Sequence, residues 1–475
     1  MRKKLLKNKS ILPILAVLFL LSSCVEGDKE TFTWESSVSG AQLGNPEINI
    51  ISSPDGSELI VSWSVVPGAG GYEVSVYNVD DPDNPVAIGE ENQFVDGFEV
   101  RRPATEDTKF MAKVRTLDNT KMNNTGAASP ATKDYTNLLP VYATIPPGNI
   151  TDYFAANPVP ESTEELCYEL EPGGNYTMTG NVTFGKTAVT IRGDKVDHGM
   201  LEMTNGSFVV GGAKFKLQFV DANYANYTGE QATSSFILMD ANFPAEGLNA
   251  NGYLVIPSIT LQSCKLAGLK YNIFWDNNKK YAITSFIIKD CIIGHSTSAF
   301  NQALIRFQAG MVRDLTITNS TFYNDNPPAS DLNQRFIQIS SGNATSVGPE
   351  WLSGTMTITN NTFWQAGKFC QSFNSNGAFG QAADRVIVQK NVFVDCFENG
   401  RIISRFRRGN TAAIFAGGEN SQWFNGALFT GSQDKTADIG YFETDPQLTY
   451  LSDGNFQMNG SAQLAAGTGD PRWLK

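Results

Sequence analysis

One short motif is written five times between residues 259 and 394. Its sixth residue is a small or polar one, and these anchor residues follow one another at intervals of 27, 29, 41 and 30 residues. Self-similarity at a nearly constant interval is typical of a repeat architecture. The anchors are Cys264, Cys291, Ser320, Asn361 and Asn391.

The apolar residues of the motif predict short β-strands. Positions one, three and eight are apolar in every copy, and positions one and three alternate with a second set, as a strand with one buried face requires. A helical repeat would instead need apolar residues three and four apart over a longer run. We therefore predict that each copy is a strand followed by a turn, with about 30 residues in each coil.

Stacking of such coils places equivalent residues roughly 4.8 Å apart. The anchor residues would then form a ladder inside the turn, where asparagine amides can hydrogen-bond from coil to coil. The 41-residue interval is interpreted as one coil with an insertion at 343–351.

The coils resemble the right-handed parallel β-helix of the pectate-lyase-like class. Residues 173–194 are similar to the first coils of that class, and the motifs Asp453-Gly-Asn-Phe and Gly469-Asp-Pro-Arg-Trp resemble the C-terminal coil of certain surface lipoproteins. Those lipoproteins are encoded beside pectin-degrading enzymes in polysaccharide utilisation loci. The resemblance covers roughly residues 145–475 and implies a parallel β-helix at 161–475.

The stretch 1–24 has the features of a lipoprotein signal peptide. Five basic residues precede an apolar run at 11–21, which is shorter than the roughly 20 apolar residues that a transmembrane helix needs. Leu21-Ser-Ser-Cys24 matches the bacterial lipobox, so we expect Cys24 to be lipidated and 25–36 to be a tether. The acidic residues after Cys24 resemble the export signal of surface-exposed outer-membrane lipoproteins, which predicts an outer-membrane lipid anchor at the cell surface.

Residues 37–138 are predicted to form a separate β-sandwich. Alternating strands around Trp63, Tyr72 and 109–117 are separated by turn signals such as 67–71. This pattern resembles a fibronectin type III module, in which Trp63 and Tyr72 would be core residues. A proline-rich stretch at 139–160 is read as a linker with a short cap over the first coil. The predicted fold class is therefore all-β, a sandwich followed by the β-helix.

Charge and residue counts exclude several functions. The net charge of −12 argues against nucleic acid as a partner, because phosphate binding needs a basic face. Only His198 and His295 are present, so a Ser-His-Asp or Cys-His catalytic system is improbable, and His295 is read as a surface residue. The five cysteines after Cys24 contain no Cys-x-x-Cys pair, which argues against a zinc site.

A basic stretch near the end of the repeats is the first candidate site. Six basic and two acidic residues lie between 385 and 408, and arginine forks match carboxylates bidentately. The resemblance to pectate lyases implies that Arg401, Arg405 or Arg407 could act as the base of a β-elimination. That activity would also need Ca²⁺, for which the acidic candidates are Asp384, Asp395 and Glu398.

Two further columns could contact a glycan. Equivalent strands in successive coils would place four donors in one outward stripe, each about one coil after the one before: Arg306, Gln338, Gln371 and Arg405. The alternative for this stripe is an ordinary solvated strand face. Tyr323 and Trp364, in neighbouring coils, could form a flat platform for sugar rings, or could be covered by the insertion at 343–351. Tyr271, Phe274 and Trp275, in a predicted loop after the first clear coil, are weaker candidates.

Three functions remain open. The first is a surface lipoprotein that binds pectic, uronate-containing plant polysaccharide during glycan capture, with outer-membrane glycan importer proteins as implied partners and no required cofactor. The second is a calcium-dependent polysaccharide lyase. The third is a structural or adhesive solenoid that binds another protein. We favour the first, because no paired carboxylates or other catalytic cluster stands out in the repeats.

Overall fold

The computed structural model describes residues 38–230, 234–242, 245–297, 300, 302–327, 335–340, 342–370, 378–396, 402–407 and 413–475, without the side chains of 368–370, 406–407 and 433. The chain divides into two compact units, Met1–Leu139 and Pro140–Lys475. Cys24, Gln371, Glu398 and Arg401 lie outside the described residues, as does the side chain of Arg407.

The first unit is a β-sandwich-like region built from two antiparallel sheets. The buried residues alternate along its central strands, and Trp63 packs edge-on against Tyr72 in the core with ring centroids 5.4 Å apart. One sheet contains Ile48–Ser52, Glu58–Trp63 and Glu99–Pro103. The other contains Tyr72–Asn78, Val86–Ala87, Gln93–Val95, Lys109–Thr116 and Ala131–Thr136, and a 3₁₀ turn spans Thr120–Met122.

The second unit is a parallel β-solenoid with three faces, here named sheets A, B and C. Sheet A contains Val141–Ile145, Leu166–Leu170, Val189–Arg192, Phe215–Gln218, Leu254–Gln262, Tyr281–Lys289, Met311–Thr318, Thr355–Thr359, Arg385–Gln389, Ile414–Gly418 and Asp438–Ile439. Sheet B contains Gly148–Asn149, Asn175–Thr179, Gly199–Asn205, Val220–Asn223, Lys265–Leu269, Ile292–His295, Thr321–Asn324, Thr362–Trp364, Val392–Val394, Ser421–Phe424 and Ala427–Leu428.

Sheet C is shorter and helices interrupt the coils at a few points. Its strands are Val182–Thr183, Phe208–Val210, Ser235–Met239, Asn272–Trp275, Ala303–Phe307, Arg335–Ile339 and Lys368–Cys370. The α-helices of the unit are Ile150–Ala156, Ala344–Val347, Ile402–Arg407, Ser432–Ala437 and Ser461–Ala466, and 3₁₀ turns span Pro349–Leu352 and Pro471–Trp473. A final hairpin pairs Leu448–Ser452 with Asn455–Met458.

Each copy of the motif contains two strands, one more than predicted. It holds the end of a sheet A strand, a tight turn and the start of a sheet B strand. The residue before each anchor has a positive φ of 51° to 56°, which lets the backbone turn sharply inside one residue. Among the motif copies these residues are Ser263, Asp290, Asn319, Asn360 and Lys390.

The predicted polar ladder is confirmed and runs beyond the motif. Asn361 Nδ2 donates to Asn391 Oδ1 at 2.9 Å, and Asn391 Nδ2 donates to Asn420 Oδ1 at 2.9 Å. Asn420 Nδ2 in turn donates to Asp438 Oδ1 at 2.9 Å, where the ladder ends. The asparagines also satisfy buried backbone groups of the turns, so the ladder fixes the register of successive coils.

The solenoid begins earlier than the predicted boundary at residue 161. Val141–Ile145 already pairs in parallel with Leu166–Leu170, and Gly148–Asn149 pairs with the next sheet B strand. The helix Ile150–Ala156 buries Phe154 against Tyr168, with ring centroids 5.0 Å apart. The stretch predicted as a linker therefore supplies the first coil.

His295 is buried, in contrast to its predicted surface position. Its Nε2 lies 3.2 Å from the carbonyl oxygen of Tyr271, and burial lowers its pKa to about 4. Four of the cysteines, Cys167, Cys264, Cys291 and Cys396, are also buried and free of disulfides. These residues fill the interior of the coils.

Candidate functional site

The outward face of sheet C carries an aromatic ring, a guanidinium and an amide in three successive coils. Trp275 pairs in register with Arg306, and Arg306 pairs in register with Gln338. All three side chains are partly exposed, between fully buried neighbours on the same strands. The predicted stacking of Arg306 on Gln338 is therefore present, and Trp275 extends the column by one coil.

Arg306 is the chemical centre of this column. Its guanidinium lies over the Trp275 ring, 5.5 Å from the centroid, and its Nη1 donates to Gln302 Oε1 at 2.7 Å. Among the described residues its Nη2 has no hydrogen-bond partner, and its buried Nε is also unpartnered. Partial burial lowers the pKa of Arg306 from its usual value, opposed by the nearby carboxylate of Asp276. The Arg306 guanidinium therefore remains positively charged and has N–H donors available for a ligand.

Asp276 holds the turn that follows Arg306. Its Oδ2 accepts the backbone N–H groups of Gln308, Ala309 and Gly310 at 2.6 to 2.8 Å. Burial raises the pKa of Asp276 to about 6 despite these hydrogen bonds. Gln308, fixed by this contact, accepts a hydrogen bond from the indole of Trp275 at 3.4 Å. The Trp275 ring is therefore oriented through Gln308 by one buried carboxylate, whereas the Arg306 guanidinium is held by Gln302.

The predicted stripe of Arg306, Gln338, Gln371 and Arg405 does not continue to Arg405 on a sheet C strand. The segment Ile402–Arg407 is a short helix, whereas the sequence suggested a strand equivalent to those of sheet C. Asp434 accepts the N–H groups of Ile403 and Ser404 at 3.2 and 2.7 Å, which stabilises the first turn of that helix. Arg405 is partly exposed on this helix. It therefore does not stack on the column of Arg306 and Gln338.

The predicted aromatic platform is covered. Trp364 stacks on Tyr450 of the C-terminal hairpin, with centroids 4.8 Å apart and an angle of 13° between the rings. Tyr323 is only 3 % exposed and contacts Tyr450 and Phe456. The hairpin, rather than the insertion at 343–351, covers both rings: it buries Tyr323 and leaves Trp364 partly exposed beside Tyr450. The two rings therefore do not form an open platform for sugar stacking.

The C-terminal segment that carries the hairpin is fastened along the coils. Arg472 donates to the carbonyl oxygens of Asp290, Cys291 and Asn319, and its guanidinium pairs with Asp470. A pocket of about 380 Å³ lies beside Arg472, and its lining includes His198 and Asp221, whose side chains are 2.8 Å apart.

The acidic residues suggested as calcium ligands serve local turns. Asp384 is buried and accepts the N–H groups of Gly354 and Gln381, both at 2.7 Å. Asp395 accepts the N–H of Asn425 at 2.8 Å. Within the described ranges, no group of three His, Cys, Asp or Glu side chains converges on a metal-sized site. Asp384 and Asp395 are therefore not assembled into a lyase-type ligand set there.

Trp275 is the member of the column that sequence reasoning ranked too low. The sequence suggested a loop at this position, but Asn272–Trp275 is a sheet C strand. The signal was the spacing, since Trp275 precedes Arg306 by about one coil, just as Arg306 precedes Gln338.

Comparisons with known proteins give two partial family matches. Two family models, each described as a domain of unknown function, match residues 2–173 and, for the second (DUF4957), residues 174–325. No curated protein matches the chain. No helix in the described part of the chain has the length and apolar character needed to cross a membrane.

Two solved structures of pectate lyase PelI from Erwinia chrysanthemi resemble the chain. The complex with tetragalacturonic acid is 9 % identical, with a TM-score of 0.20, and the match covers 67 % of this chain and 84 % of that chain. The other PelI structure is 11 % identical, with a TM-score of 0.14, covering 67 % and 85 %. With TM-scores this low, the likeness is no argument for a shared activity.

Proposed function

We propose that this protein is a cell-surface lipoprotein that binds acidic, uronate-containing polysaccharide of the pectic type on the outward face of sheet C. The observation that carries the proposal is the register of Trp275, Arg306 and Gln338. A ring that can lie against a sugar face stands next to a cation that can pair with a carboxylate and an amide that can bind hydroxyl groups. These are the groups needed to recognise a uronate chain.

The direction of the column fits an extended polymer. Its members lie in neighbouring coils, which follow one another roughly every 4.8 Å along the solenoid axis. A glycan lying parallel to that axis would therefore meet a new side chain with each coil. Gln338 Nε2 already donates to Ser340 Oγ at 2.6 Å, which leaves its amide oxygen as an acceptor for a hydroxyl group.

Binding without cleavage agrees with the chemistry of this face. The carboxylate beside Arg306, that of Asp276, is buried and occupied by three backbone N–H groups. It is therefore poorly placed to hold a calcium ion against a uronate. Asp384 and Asp395 are engaged in turns in the same way. A lyase would need ligands that these residues do not offer.

A gel experiment with the polymer tests this function directly. Soluble protein from residue 38 onward is run in native gels with and without polygalacturonate, and the same protein is incubated with the polymer while the ultraviolet absorbance of unsaturated uronate is followed. We expect retardation in the gel and a flat absorbance trace, with or without calcium. A calcium-dependent rise in absorbance would instead make the protein a lyase. Unchanged mobility would remove the glycan proposal and favour an adhesive role.

The membrane anchor is a separate part of the proposal. It is supported by the lipobox at Leu21-Ser-Ser-Cys24 and by the acidic residues that follow it. Metabolic labelling with a radioactive fatty acid should mark the wild-type protein and leave the Cys24→Ala variant unlabelled. Protease treatment of intact cells would then show whether the solenoid faces the medium.

A further inference from the structure

A small pocket lies at the turns between sheets A and B, beside the bound C-terminal segment. Arg472 of that segment forms one wall, where it donates to the carbonyl oxygens of Asp290 and Cys291 at 3.0 and 2.7 Å. The pocket has a volume of about 380 Å³. This is at the low end of the roughly 300–1,000 Å³ typical of small-molecule sites, so the pocket fits one small ring rather than a length of polymer. Its other lining residues are His198, Asp221, Ser263, Cys264, Lys265 and Ile292.

The walls of the pocket are joined to one another by direct contacts. His198 Nδ1 lies 2.8 Å from Asp221 Oδ1, and the same oxygen accepts the backbone N–H of Lys265 at 3.2 Å. Lys265 pairs in register with Ile292 on the next strand of sheet B. The backbone N–H of Ile292 in turn donates to the carbonyl oxygen of Cys264 at 2.9 Å. The lining is therefore one continuous surface around a single space.

Several polar groups of this surface are available to a ligand. In the described part of the chain, His198 Nε2, the Lys265 ammonium and the Ser263 hydroxyl have no hydrogen-bond partner. Asp290 accepts Asn319 Nδ2 at 3.1 Å through one carboxylate oxygen, which leaves its other oxygen as an acceptor. These side chains are partly exposed. The pocket therefore presents both donors and acceptors.

The charges around the pocket balance one another. The Arg472 guanidinium is paired with Asp470, and the Asp221 carboxylate is paired with the imidazole beside it. The two charges that remain are the ammonium of Lys265 and the carboxylate of Asp290. Asp290 would repel an anion and Lys265 would repel a cation, whereas a hydroxyl group can donate to the first and accept from the second. This combination favours an uncharged ligand that is rich in hydroxyl groups.

We propose that this pocket binds one uncharged hexose residue, at a site separate from the outward face of sheet C. Ring hydroxyl groups donate to Asp290 and accept from Lys265, and the Ile292 side chain lies against the apolar C–H face of the ring. His198 is held by Asp221, and Arg472 is held by backbone carbonyl oxygens. The walls are therefore ordered before the sugar enters, which lowers the entropic cost of binding.

Histidine NMR tests this site directly, because the chain contains only His198 and His295. His295 is buried in the interior, so its ring signals are an internal control. Soluble protein with isotope-labelled histidine rings is titrated with galactose, glucose and mannose and with the uronic acid of each. We expect the His198 signals to shift saturably with at least one neutral hexose, with half-saturation at about 10 mM or below. The matching uronic acid should bind at least roughly threefold more weakly, because its carboxylate meets Asp290.

Two pocket variants locate the binding. Lys265→Ala removes a donor, and Asp290→Asn removes a charge at nearly constant shape; each should weaken hexose binding roughly fivefold or more. Lys186→Ala is the matched control, since its ammonium is exposed and paired with Glu246 outside the pocket. This control should bind the hexose like the wild type.

The same variants separate this site from the face of sheet C. Arg306→Gln should leave the His198 response to the hexose unchanged, and Lys265→Ala should leave the retardation by polygalacturonate unchanged. The proposal would be overturned if no neutral hexose shifted the His198 signals, or if the uronic acids bound more tightly than the neutral sugars. Unchanged hexose affinity in both Lys265→Ala and Asp290→Asn would equally contradict the assigned pocket.

Discussion

Replacement of Asn391 by alanine should be one of the most damaging single changes in the solenoid. The side chain is fully buried, and its Nδ2 donates to the carbonyl oxygens of Ile358 and Gln389 at 2.8 and 2.9 Å. The same amide donates to Asn420 Oδ1, and its own oxygen accepts two hydrogen bonds from Asn361. One residue thus links three successive coils.

The size of the effect follows from the groups left without partners. Alanine at this position leaves the backbone N–H of Asn361 without its acceptor. It also removes one hydrogen bond each from the carbonyl oxygens of Ile358 and Gln389 and from the amide groups of the two neighbouring asparagines, which keep their other partners. Each buried unsatisfied group costs about 1–3 kcal/mol, although water entering the space and relaxation of the turn recover part of this. We therefore expect a loss of about 3–5 kcal/mol in the free energy of unfolding. That is a large share of the roughly 5–15 kcal/mol typical of a domain.

Urea denaturation followed by tryptophan fluorescence measures this loss in the solenoid transition. Thr357→Ala is the matched control, since Thr357 lies on a neighbouring coil with its side chain directed outward and partly exposed. The control should change the unfolding free energy by no more than about 0.5 kcal/mol. If Asn391→Ala stays within about 1 kcal/mol of the wild type, the ladder is not a main source of coil stability and the reasoning fails.

Two further predictions concern the covered aromatic residues and the buried acids. Trp364→Ala should lower the thermal midpoint by several degrees and leave polygalacturonate binding unchanged, because Tyr450 covers the ring; a change in binding with no change in stability would contradict the covered arrangement. The raised pKa values of Asp276 and Asp438, about 6 and about 7, mean that the folded state binds protons more tightly than the unfolded state. The free energy of unfolding should therefore fall as pH rises from 4 to 7.5, and Asp438→Asn should flatten this slope in denaturant titrations.

The repeat region was readable from sequence because its determinants are local. The apolar positions and the polar anchor recur within one short motif. Because each coil packs its equivalent positions on those of the next coil, the same residue types are needed in every copy. The same logic predicted the register of Arg306 and Gln338. It missed Asn420 and Asp438, because the copy around Asn420 has Gly417 and Gln422 at two of the three apolar positions that identify the motif.

The covering hairpin could not be read in this way. Tyr450 lies several coils after Tyr323 in the chain, and no periodic pattern links the two. The pairing depends on how the C-terminal segment returns over sheet B, held by Arg472 at the turns of Asp290 and Asn319. The helix Ile402–Arg407 was missed for a related reason, since Asp434, which caps it, follows about one coil later.

Titration calorimetry with a defined galacturonate oligomer tests the binding face most directly. Arg306→Gln and Trp275→Ala are compared with Arg313→Gln, whose arginine lies on sheet A and is paired with Asp314 at 2.8 Å. Loss of a charged hydrogen bond of about 1.5–3 kcal/mol corresponds to a roughly 10- to 150-fold higher Kd, so Arg306→Gln should bind at least tenfold more weakly. Trp275→Ala removes the ring beneath this guanidinium and should also raise the Kd, while Arg313→Gln binds like the wild type. Equal affinity in all four proteins would show that sheet C is not the glycan-binding face.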